Sequence, residues 1–328
     1  MSRRNAATGL ILRKHLTARP AFAQPIDLAP KATTAEAFQI IAMSCLRHLA
    51  GNKSAVLSGN TEAVHQMRVG LRRMRAAISV FKQMLQGKDT KRVTNGLKWL
   101  SLELGPARDM DVLASETLRP MSKSAPHPEA VAALKNDIIN LRDKGISRAK
   151  RAVNSDRYRR LILDTVLWIK DGQWTRSRVA LIAVQRKQRA SSFAGHESKR
   201  RTRKALMRMA KIDKLSVHER HRLRIAIKKL RYATEYFGSL FPTKKRRLKK
   251  FSAILEDLQS LLGQLNDIWV HSKLAGSYLD PTHGTRAAVR KAFAMGLLAG
   301  EEHAKIRELL KKIKRHGKRL ERCEPFWD

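Results

Sequence analysis

His65-Gln66-Met67-Arg68-Val69-Gly70-Leu71-Arg72-Arg73-Met74-Arg75 returns later in the chain as His221-Arg222-Leu223-Arg224-Ile225-Ala226-Ile227-Lys228-Lys229-Leu230-Arg231. Around the first stretch, Met67, Leu71, Met74, Ile78, Phe81 and Leu85 fall at alternating steps of four and three, the apolar stripe of an amphipathic helix. The second stretch keeps the stripe as Leu223, Ile227, Leu230, Phe237 and Phe241, with Thr234 its polar interruption. At about 100° of rotation per residue, His65, Arg68, Arg72 and Arg75 form a ladder beside the stripe, bordering the core. Arg73 and Lys229 lie about 200° from the stripe and point away from it. Guanidinium groups repeated at one-turn intervals suit a ligand with repeated phosphates, because the planar fork hydrogen-bonds phosphate oxygens in pairs and stays charged.

The repetition extends beyond the two helices. Lys91-Arg92-Val93 matches Lys249-Lys250-Phe251, while Leu97, Leu100, Leu104 and Gly105 match Leu255, Leu258, Leu262 and Gly263. Arg108-Asp109-Met110-Asp111-Val112 then falls on Asn266-Asp267-Ile268-Trp269-Val270. A small change of register between these blocks reads as a loop insertion, and the order of elements is preserved. The expected fold is all-α, with two pseudo-symmetric four-helix-bundle-like halves arising from an internal duplication.

Helix signals divide the chain accordingly. Residues 1–32 read as a disordered basic arm. Ala21-Phe22-Ala23 resembles a cleavage site, but Arg13, Lys14 and His15 cut short the apolar run that a secretory signal needs. A helix is expected from 33 to about 50, capped by Thr33 or Thr34, then a loop from Gly51 to Asn60, and the first ladder helix from Thr61 to Leu85. Gly87-Lys88-Asp89 opens the next helix, which passes Gly105-Pro106 into the Arg-Asp segment. Further helices run through Val131 to Leu141 and from Asp156 to Lys170, and Gly172 closes a first half spanning 33–172. In a second half spanning 173–328, a basic helix begins near Arg176, breaks near Gly195, and precedes the second ladder helix from Ser216 to Leu240. The remaining helices are expected from Thr243 through Asp267, from Gly284 to Leu298, and from Glu301 to Arg322.

Composition narrows the partner. The chain of 328 residues holds 68 Lys and Arg against 28 Asp and Glu, a formal net charge of +40, so an anion is its leading partner. Cys45 and Cys323 lie far apart without metal or disulfide spacing, which fits a reducing, cytoplasmic compartment. No run of apolar residues is long enough to span a bilayer, so a soluble protein is expected.

The motifs resemble the conserved histidine α-helical domain, or CHAD, family. The resemblance is carried by His65 to Arg75, Leu104-Gly105 with Arg108 to Val112, His221 to Tyr232, Leu262-Gly263 with Asn266-Asp267, and the terminal Pro325-Phe326-Trp327. It implies two pseudo-symmetric bundles whose basic helices line a cavity that binds inorganic polyphosphate, in proteins that target polyphosphate granules. Some relatives carry a fused triphosphatase domain with a Glu-x-Glu-x-Lys motif, which this sequence lacks.

The expected function is therefore non-enzymatic polyphosphate binding, needing no cofactor and no metal, in the cytoplasm on granules. Candidate binding residues are His65, Arg68, Arg72, Arg73, Arg75 and Arg92, with His221, Arg224, Lys228, Lys229, Arg231 and Lys250. The histidines either donate to phosphate or hold a helix edge. A metal site from His218, His221, Asp109 and Asp267 is disfavoured by the surrounding positive charge. Asp109 and Asp267 are expected to cap a helix or pair with ladder arginines, since no Walker A loop accompanies them. The basic face from Lys311 to Arg322 reads as solvated, with a membrane-surface role as the lesser alternative. The rival functions are a nucleic-acid-binding basic protein and, behind it, a polyphosphate or triphosphate hydrolase. Aromatic residues are only 5% of the chain, which counts against base stacking along a nucleic acid and leaves nucleic acid as a non-specific partner.

Overall fold

The computed structural model describes residues 19–112, 128–278 and 286–328, and among them the secondary structure is helical, with one isolated antiparallel bridge between Thr33 and Arg189. The chain is all-α. Its described residues form two compact units, one within Met1–Leu113 and Ile138–Phe193, the other within Ala114–Asp137 and Ala194–Asp328.

The first unit is built on four helices of 16 to 20 residues: α1 (Thr34–Ala50), α3 (Thr61–Val80), α4 (Lys88–Glu103) and α7 (Asp156–Asp171). Between them lie α2 (Lys53–Leu57), α5 (Gly105–Val112) and, from Ile138 onward, α6 (Pro128–Asn154), followed by α8 (Gln173–Arg176) and α9 (Ala180–Lys187). Local chemistry fixes the starts. Thr33 and Glu36 form a reciprocal capping box, and the side chains of Asn60 and Ser155 accept from the backbone N–H groups of Ala63 and Tyr158. Helix α3 stops at Val80, short of Leu85, and Phe81 turns inward against Phe38 at 5.3 Å and Phe193 at 5.0 Å. Trp168 and Trp174 meet Phe38 edge-on, and their buried indole N–H groups donate to Thr90 Oγ1 at 2.9 Å and to the Trp168 carbonyl at 2.8 Å.

Two expectations change here. The segment after Gly172 belongs to the first unit by packing: Trp174 enters its aromatic core, and the Gln188 carbonyl accepts from the Thr34 N–H at 2.8 Å and hydroxyl at 3.0 Å. Residues 19–32 are not a disordered arm, because Leu28 is 1% exposed and Ala21 exchanges two hydrogen bonds with the Asn52 side chain. Residues 1–18 lie outside the described residues. The expected loop after Gly51 also holds the short helix α2.

The second unit packs α10 (Ala190–Met209), α11 (Val217–Phe237), α12 (Lys245–Tyr278) and α13 (Arg286–Glu321) around Leu223, Ile227 and Leu230. These meet Leu255, Leu258 and Leu262 of α12 and Ile313 of α13. Ser216 and Glu219 supply a second capping box. The C-terminal segment closes the core, Phe326 lying 5.4 Å from Phe251 and 5.5 Å from Phe241. Helix α10 runs through Gly195, where a break was expected, and the glycine packs beside Trp327, whose Cβ stands 3.9 Å from a Cβ built there. The chain breaks instead at Gln188–Arg189, where the bridge to Thr33 replaces helical hydrogen bonds. The expected interruption before Glu301 is likewise absent, since α13 continues through Gly300.

Candidate functional site

In the first unit, α5 packs on the N-terminal half of α3 and covers part of its ladder. Arg68 Nη2 pairs with Asp109 Oδ1 at 3.2 Å, the arginine side chain 25% exposed and the carboxylate 64% exposed. Gly105, the first residue of α5, leaves the space the guanidinium occupies: a Cβ there would stand 3.3 Å from Arg68 Nη1. Arg108 pairs with Asp111 at 2.6 Å and turns toward His65. Burial lowers the His65 pKa, and the charges of Arg108, Arg72 and Arg68 lower it further against the pull of Glu62. The imidazole is therefore neutral at pH 7, and its Nδ1 is buried without a hydrogen-bond partner. Burial also lowers the Arg68 pKa, with Arg72 and Arg108 adding to the effect and Asp109 opposing it.

Beyond α5 the ladder emerges. Arg72 and Arg75 are exposed, and do not border the core as expected. Arg73 departs furthest from expectation, being 1% exposed. The reason is a second buried stripe on α3, formed by Ala63, Gly70, Arg73 and Ala77 with the half-buried Gln66 beside it, which faces α1. Gln66 Oε1 lies 3.1 Å from His48 Nε2, a Cβ on Gly70 would reach the Leu49 backbone, and the Arg73 charge acts on His48. With both stripes buried, the buried arc spreads away from the ladder and turns Arg72 and Arg75 outward. Arg92 is directed elsewhere, toward Asp164 of α7 at 3.3 Å.

The second unit arranges corresponding residues differently. His221 Nδ1 lies 2.8 Å from Asn266 Oδ1, while the Asn266 amide nitrogen donates to Asp267 Oδ1 at 3.4 Å. That network assigns the imidazole proton to Nδ1. Arg224, Lys228 and Lys229 are half-buried along α11, so Lys229 does not point away from the core as expected. Arg231 is held sideways, its Nε donating to Gln259 Oε1 at 2.8 Å and its guanidinium 4.9 Å from the Tyr232 ring centre. Lys250 is exposed on α12. Among the described residues no three His, Cys, Asp or Glu side chains gather as metal ligands. Asp109 lies against the ladder arginine Arg68, and Asp267 holds the amide that orients His221.

Sequence reasoning left Arg108 and Asn266 out of the site. They occupy matching positions of the repeated blocks, and each approaches the histidine of its own unit. That correspondence was the available signal.

The CHAD domain model matches residues 40–276, well over half of the chain. The chain belongs to the CHAD domain family. A crystal structure of the CHAD domain from the plant Ricinus communis is similar over 92% of this chain and 96% of its own, at 28% identity and a TM-score of 0.76. PptA from Streptomyces chartreusis shares the fold over 88% of this chain and 100% of its own, at 16% identity and a TM-score of 0.59. Among curated proteins, none matches the chain. Among the described residues of this CHAD protein, no helix is long and apolar enough to cross a membrane.

Proposed function

We propose that this CHAD protein binds inorganic polyphosphate on the cationic faces of α3 and α11, does not hydrolyse it, and resides with polyphosphate granules in the cytoplasm. The observation that carries this reading is the crowding of Arg68, Arg72 and Arg108 about the neutral His65. Like charges held together at the edge of a core repel one another, and a bound polyanion relieves that repulsion. The formal charge of +40 adds a long-range field that draws polyanions in.

Binding would then run in stages. Exposed Arg72 and Arg75 engage phosphate oxygens first, releasing condensed counterions from the polymer. Arg68, already half desolvated, exchanges the exposed Asp109 carboxylate for phosphate in a charge-assisted hydrogen bond. His65 gains basicity as an anion approaches. In the second unit His221, oriented by Asn266, offers its ring edge beside Arg224 and Lys228. Each additional phosphate on the same chain binds at high effective concentration, so long polymers are favoured over orthophosphate.

A competition titration tests this. Long-chain polyphosphate should displace a labelled polyphosphate probe at physiological salt far more effectively than duplex DNA of matched total charge or orthophosphate. Equal competition by DNA would reduce the interaction to bulk charge.

A further inference from the structure

Two positions that differ between the repeated blocks come together in the second unit. Arg220 stands where the first copy has the buried Val64, and Trp269 stands where it has Asp111, the partner of Arg108. Both line one pocket of about 150 Å³. Its lining is mostly apolar, with Leu262, Leu265 and Ile268 of α12 and Ile306 of α13, and it includes His221. Trp269, one of the lining residues, is 43% exposed, so part of its indole surface is accessible. The Arg220 Nε, by contrast, is buried without a hydrogen-bond partner. A buried donor in that state is costly and favours an acceptor, above all an anionic one.

The pocket also has a direction. Arg220, Arg224 and Lys228 follow one another at helical-turn spacing on α11, so a row of cations leads away from the pocket along one face. A ligand matching all of these features has a flat ring to lie against an indole and a chain of anionic groups to follow the cations. We propose that this pocket takes the base of a nucleoside polyphosphate, stacked on Trp269, with the phosphates running from Arg220 toward Arg224 and Lys228. The inference rests on the reading of α11 as a phosphate-binding face, and adds a base-binding end to it. An acyl chain lacks the anionic series that the cations would meet, and inorganic polyphosphate offers neither a flat ring to lie against an indole nor an apolar surface for the pocket lining.

The test compares tripolyphosphate with ATP, by isothermal titration into the full-length protein at one salt concentration. ATP carries less charge, so electrostatics alone ranks tripolyphosphate first. Base stacking is expected to reverse that order, with ATP binding at least fivefold tighter, about 1 kcal/mol. Trp269→Ala should remove the ATP advantage while leaving tripolyphosphate affinity within about twofold, which also shows that the variant retains its phosphate-binding fold. Trp269→Phe should retain most of the advantage, because a phenyl ring still stacks. Equal or weaker ATP binding by the wild-type protein, or an ATP advantage that survives Trp269→Ala, overturns the pocket assignment while leaving polyphosphate binding intact. ATP binding without tripolyphosphate binding removes the polyphosphate reading and supports the pocket, whereas binding of neither removes both.

Discussion

Replacing Gly70 by alanine tests the closest helix contact beneath the first ladder. A Cβ at that position would lie 2.9 Å from the Leu49 backbone nitrogen, 3.0 Å from its Cα and 3.1 Å from its Cβ. Backbone atoms cannot rotate aside as the end of a side chain can, so α1 and α3 must separate by several tenths of an ångström. Overpacking of this kind costs about 1–3 kcal/mol, and the better helix propensity of alanine returns about 0.5–1 kcal/mol. The net loss should be about 1–2 kcal/mol, which lowers Tm by roughly 2–8 °C for a unit of this size. Gly263 provides the opposite case: it lies inside α12 with nothing within 4 Å of a built Cβ. Gly263→Ala should therefore stabilise by about 0.5–1 kcal/mol. Thermal and urea unfolding followed by circular dichroism measure both. A Gly70→Ala protein as stable as the wild type, or changes of the same sign in the two variants, would refute the packing argument.

Acid should weaken the first unit through His48, whose pKa is lowered to about 4 by burial and, next, by the Arg73 charge. The unfolded state takes up this proton first, so stability falls as pH drops from about 6.5 toward 4, by up to roughly 3 kcal/mol. His48→Gln should flatten that part of the stability profile, and an unchanged profile would show that His48 is not the group responsible. Incubation with polyphosphate and magnesium or manganese should release no orthophosphate above a buffer control, whereas turnover abolished by Asp109→Ala would establish catalysis.

The sequence carried much of the architecture because its local signals agree with the tertiary packing. Thr33, Asn60, Ser155 and Ser216 begin helices where their side chains meet backbone N–H groups, and Met67, Leu71 and Met74 of the four-three stripe are buried on α3. Its failures share a cause: each depended on contacts with distant residues. Arg73 was placed outward from a single stripe, although Ala63, Gly70 and Ala77 at seven-residue spacing marked a second face able to approach another helix. Gly195 looked like a stop, but α10 continues through it and packs there beside Trp327 near the end of the chain. Gln188 carries no breaking signal of its own, and ends α9 because Thr34, far away in sequence, donates to its carbonyl. In the candidate site, the ladder positions were legible from helical spacing. The arrangement of Arg108 about His65 and of Asn266 against His221 required the packing of α5 on α3 and of α12 on α11.

Polyphosphate affinity after two charge-matched sets of substitutions tests the central claim most directly. One set changes Arg68, Arg72, Arg224 and Lys228 to glutamine. The other changes Lys311, Arg315, Lys318 and Arg322 of the C-terminal segment, all of them exposed, and so removes the same formal charge. A ligand seated on the ladders should lose at least tenfold in affinity, about 1.4 kcal/mol, from the first set and clearly less from the second. Equal losses from the two folded variants would contradict the account, because the interaction would then follow total charge and not the faces of α3 and α11.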